Sequence, residues 1–73
     1  MDIKKLLETY DDAISLIEER IILPYEVDFE NSYPTLSPYE RISATWIYLQ
    51  AQKELANLRI MRHNIKESNA VQE

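Results

Sequence analysis

TLSPYERISATWIYLQ, residues 35–50, admits two incompatible readings. Ser37-Pro38 followed by Tyr39 has the form of a short recognition or modification motif, whereas Ser-Pro-x-Glu is also the chemistry of a helix start. With Ser37 as N-cap, Pro38 takes the first helical position, where its missing N–H costs nothing. Glu40 then falls at the third, within reach of the Ser37 amide. The stretch is therefore read as a capping box that opens a helix. Leu36 and Arg41 occupy the staple positions around it, although only Leu36 is apolar. Phosphorylation of Ser37 is the competing reading; the phosphate would sit at a helix amino terminus, where negative charge is tolerated.

From Pro38 this second helix is expected to run to about residue 66, with residues 67–73 (ESNAVQE) as a fraying polar tail. Placed at about 100° per residue, its apolar side chains form two stripes instead of the single stripe of a surface helix. Ile42, Trp46, Leu49, Ala56 and Ile60 make one; Ile47, Tyr48, Ala51, Leu55, Leu58, Met61 and Ile65 make the other. The Trp46 stripe is assigned to packing against the first helix, with Trp46 as a subunit-interface anchor the next reading. The second is then left to an interface, most economically with another copy of the chain and alternatively with a different protein, since solvated monomers rarely expose such a patch.

Upstream, Ile3, Leu7, Tyr10, Ile14, Ile17 and Ile21 recur at alternating intervals of four and three, with Leu6 and Ala13 widening the seam. This predicts a helix over about 2–22, with Asp2 favoured at its amino end by the macrodipole and Pro24 ending it. The segment 23–37 between the helices is read as an acidic-aromatic connecting loop. In an extended strip, Tyr25, Val27 and Phe29 would face one way and Glu26, Asp28 and Glu30 the other. Two roles compete for it. The aromatic rings, with Tyr33, can fold back to cap the bundle's open end. Alternatively Tyr25, Glu26, Asp28, Phe29, Glu30 and Tyr33 form an outward docking strip for a protein partner.

The thirteen acids and eight basic residues give a net charge of −5, which argues against nucleic acid as a direct ligand because phosphate binding needs a basic surface. Residues 1–36 carry a net charge of −6 and residues 37–73 a net +1, so the acidic half is the one expected to meet a basic partner. Asp11 and Asp12 interrupt any signal-like apolar run, and no stretch approaches a membrane span. A cytoplasmic protein with no membrane partner is expected.

Reactive constellations are scarce. With no cysteine and no glycine there is neither a thiol nucleophile nor a phosphate-cradling loop. His63 is the one imidazole, read as a surface or interface group, and no Glu-x-x-His metal pattern occurs. No enzyme activity, cofactor or metal is expected. In length, acidity, helical character and lack of cofactor motifs the chain resembles the small accessory proteins of phages and mobile elements. That likeness is compositional. It implies a modulator or inhibitor of another macromolecule and transfers no residues.

The expectation is thus a single all-α domain: a two-helix antiparallel hairpin that dimerises into a four-helix-type bundle. Its expected role is that of a small protein-binding module, with a structural or assembly subunit as the alternative.

Overall fold

The computed structural model describes residues 2–72, and every element in it is helical. Helix α1 (Ile3–Ile17) passes through a π-helical segment (Glu18–Ile22) into α2 (Leu23–Ser32). A 3₁₀ turn (Tyr33–Thr35) then leads to α3 (Pro38–Gln72). Asp2 caps α1 by accepting the Lys4 N–H at 3.0 Å. The capping box at the start of α3 is formed in both directions: the Glu40 N–H donates to Ser37 Oγ at 3.2 Å and the Ser37 N–H to Glu40 Oε1 at 3.1 Å.

Pro24 does not end the first helix, contrary to the sequence reading. A proline ring crowds the carbonyl four residues back and removes one backbone donor. Here one turn widens to relieve it: the Leu23 N–H donates to the Glu18 carbonyl, five residues back. Ile22 and Leu23 keep right-handed helical dihedrals at −67°/−57° and −63°/−46°. The chain from Ile3 to Ser32 is consequently one continuous arm, and the expected loop over 23–37 contracts to the connection Tyr33–Ser37. At the other end, residues 67–72 continue α3 in place of the expected fraying tail, while Glu73 lies outside the described residues.

The arm and α3 lie side by side in opposite directions. Ile3 and Leu6 meet Ile65 and Asn69 around one shallow groove. Further along, Asp11 meets Arg62, Glu18 meets Arg59, and Glu26 meets Tyr48. The α1 seam residues, from Ile3 through Tyr10 to Ile21, are all half-buried. The result is a rod of 55 × 17 × 15 Å with a radius of gyration of 16.3 Å. A compact domain of this length would have about 11 Å. Two packed helices have little interior: among the described side chains only Ala51 and Leu55 are buried, each 6 % exposed.

That pair overturns the stripe assignment. Ala51 and Leu55 are central to the stripe expected to form the dimer interface, and they pack instead beneath the chain's own first arm. Tyr48, Leu58 and Ile65 beside them are half-buried, while Ile47 and Met61, at the stripe's edge, are exposed. Trp46, expected in the core, is 61 % exposed. The physical reason lies in size and flank. Ala51 lets the arm approach closely, and this face is bordered by Arg59 and Arg62, which reach Glu18 and Asp11 on the acidic arm.

Candidate interaction surface

At the closed end of the rod the side chains form an aromatic column. Tyr25 and Phe29 are four apart on α2 and therefore share a face; their rings stack at 4.3 Å between centroids. Tyr25 also stacks on Tyr48 of α3 at 4.1 Å, and Phe29 meets Tyr33 edge-on at 5.7 Å. The Arg41 guanidinium closes the column, 3.9 Å above the Tyr33 ring, while its Nε donates to the Tyr33 carbonyl at 3.0 Å. Arg41 thus does at the staple position, by a cation–π contact, what an apolar residue would do by packing.

Polar bonds fix the same end. Hydroxyls of Tyr25 and Thr45 lie 2.9 Å apart. The Tyr48 hydroxyl donates to Glu26 Oε1 at 3.0 Å and accepts from Gln52 Nε2 at 2.7 Å. Burial, followed by the Glu26 carboxylate, pushes the Tyr48 phenol above its ordinary pKa. The capping bonds from Ser37 hold the Glu40 carboxyl below its ordinary value.

The docking strip expected over residues 25–33 is not assembled as an extended edge. On a helix Glu26 and Glu30 point together, whereas Asp28 projects from the far side. Tyr25 and Phe29 are half-buried against α3, and Tyr33 is the more exposed ring of the three. Glu26 is bonded to Tyr48, and farther along the arm Asp11 receives Arg62 through 2.5 and 3.2 Å bonds. The acidic surface still open on the arm comprises Asp28 and Glu30 and, along its back, Glu8, Asp12 and Glu19 beside the exposed Leu16.

The larger unsatisfied surface is apolar and lies on α3, opposite its packed face. Tyr39, Ile42, Trp46, Leu49 and Ile60 are between 54 % and 79 % exposed and succeed one another on one side of the helix. Near the closed end, Ile42, Trp46 and Leu49 join Phe29, Tyr33 and Arg41 around an open groove of about 350 Å³. The signal that could have separated the two stripes is Lys53, which continues the Trp46 stripe. A charge at that position marks a solvent-facing or intermolecular seam more readily than an interior.

Among the described residues no three His, Asp or Glu side chains converge to hold a metal, and no helix is long and apolar enough to cross a membrane. His63 is exposed on α3, one turn beyond Ile60. No family model, curated protein or solved structure matches the chain.

Proposed function

We propose that the chain is a non-catalytic protein-binding module: an antiparallel helical hairpin that self-associates through the outer stripe of α3 and modulates another macromolecule. The observation that carries this reading is the exposure of Ile42, Trp46, Leu49 and Ile60 on a protomer in which, among the described side chains, only Ala51 and Leu55 are buried. A chain with so small an interior gains stability chiefly by covering such a face. The role as a modulator, cytoplasmic and of the accessory-protein kind, draws on composition and on the acidic back of the first arm. Glu8, Asp12 and Glu19 there remain available to a basic partner.

A structural or assembly subunit is the second reading, favoured by the same apolar stripe if it is permanently covered in a larger complex. Salt separates the two. Capture of partners from the native host at low and high salt, with wild-type and Trp46→Asp protein as bait, tests them. Modulation through the acidic back requires binding that weakens steeply with salt. A permanent apolar assembly requires binding indifferent to salt and lost with Trp46→Asp.

A further inference from the structure

The outer stripe of α3 has a spacing that identifies its occupant. Tyr39, Ile42, Trp46, Leu49, Lys53, Ala56, Ile60 and His63 follow one another at intervals of three and four without a break, the repeat of a coiled-coil seam. The order of side chains within that repeat is self-complementary when read backwards. A second α3 laid antiparallel about position 51 sets Tyr39 against His63, Ile42 against Ile60, Trp46 against Ala56 and Leu49 against Lys53. The largest side chain meets the smallest, and the Lys53 stem lies along Leu49 with its ammonium free to reach water.

The alternatives are worse. A parallel pairing sets Lys53 on Lys53 and Trp46 on Trp46. Shifting the antiparallel register by one heptad either leaves Ile60 unpaired or sets Ile42 against Glu67. In the central register the flanks place Gln50 by Gln50, Gln52 by Gln52, Ser43 by Asn57 and Thr45 by Arg59, so like charges nowhere oppose. The area also suits a dimer. The protomer exposes 5812 Å², against about 4,700 Å² for a compact monomer of 8.7 kDa, and the excess exceeds the ~800 Å² per partner of a standard interface.

Resting on the self-association reading above, we infer that the occupant of this stripe is a second copy of the chain, docked through an antiparallel α3–α3 seam centred on position 51. Because the stripe lies opposite the packed face, the four helices form a row, arm–α3–α3–arm, in place of a square bundle.

The test uses the full chain with a volume swap. Trp46→Ala and Ala56→Trp each alter a side chain exposed on the protomer, so helix content of the monomer is retained, and each is expected to weaken dimerisation at least tenfold by sedimentation or light scattering. The double variant recreates the large-on-small contact with its partners exchanged and is expected to recover the parental dimer within a few-fold. A chain without cysteine also accepts single spin labels cleanly. Labels at Gln50, Asn57 and Asn64 are expected to show separations that grow by about 3 Å axially per residue away from 51, twice the helical rise. Parent protein that stays monomeric to high micromolar concentration overturns both this proposal and the self-association beneath it, and assigns the stripe to another protein. A dimer whose double variant is not rescued, or whose label distances stay constant along α3, overturns the register and leaves self-association standing.

Discussion

Leu55 and Leu49 are the same residue type on opposite faces of one helix, and truncating each distinguishes the inward stripe from the outward one. Leu55 is 6 % exposed beneath the first arm. Leu→Ala removes three carbons at about 0.8 kcal/mol each, or about 2.4 kcal/mol of burial. The groove beside Leu55, lined by Glu18, Ile22, Gln52 and Arg59, is open to solvent. Little sealed cavity is left to add to that figure, so Leu55→Ala is expected to cost about 2–3 kcal/mol. In a chain of this size that corresponds to a fall in melting temperature of about 10–20 °C. Because the contact is within the protomer, the loss is the same at every protein concentration. Leu49 is 54 % exposed, and its truncation is expected to cost less than about 1 kcal/mol in dilute protein. At concentrations where the chain is paired, Leu49→Ala costs more. Circular dichroism melts of both variants across a hundredfold concentration range provide the assay. If Leu49→Ala proves the more damaging variant at the lowest concentration, the assignment of the two faces is wrong.

Other outcomes can be checked by similar means. Ser37→Ala is expected to cost about 1 kcal/mol, the usual worth of a helix N-cap, seen as a lower denaturant midpoint. Glu40 has its pKa lowered by the cap, so its contribution is present above the ordinary carboxylate pKa and is lost as pH falls through the lowered one. The stability gap between the parent and Glu40→Gln should accordingly close in acid. Tyr48, with its pKa raised, contributes below the ordinary phenol pKa and loses that contribution as pH rises through the raised one. Phenolate absorbance should show a late-titrating component that disappears in Tyr48→Phe and moves earlier in Glu26→Gln. Arg41→Lys keeps the charge but loses the planar guanidinium over Tyr33, and is expected to loosen the closed end, read as faster amide exchange at Tyr33, Thr35 and Leu36.

The helical class, the α1 seam and the capping box were legible because each rests on local spacing or on a bond between near neighbours. The course of the chain through Pro24 was not, since proline reads as a stop when the turn around it is taken as regular. A trace of the widened turn does exist in the spacing. After Ile17 the inward residues follow at steps of four, through Ile21, Tyr25 and Phe29 to Tyr33. Each such step overshoots a regular turn by about 40°. Four of them would carry Tyr33 nearly to the opposite side of the helix unless one extra residue were absorbed, and the π segment at Glu18–Ile22 absorbs it. Which stripe of α3 turns inward was marked in the sequence by Lys53 on the outer one alone, and was misread for a different reason. Both stripes are apolar and helically spaced, and the choice between them depends on which flank carries the cations that meet the arm's carboxylates.

The closed and open ends of the rod are held very differently. One carries the capping box, the stacked rings and the Tyr48 bonds. The other has Ile3 and Leu6 against Ile65 and Asn69. Between them lie two exposed ion pairs, each worth at most about 1 kcal/mol. Contacts close in sequence cost the least loop entropy and form first, so folding is expected to start at the connection Tyr33–Ser37 and zip outward. Opening runs the other way. The helix ends farthest from the connection are expected to part first, and amide protection should decline from Tyr25 and Tyr48 toward Ile3 and Asn69 as a gradient and not as a single cooperative step.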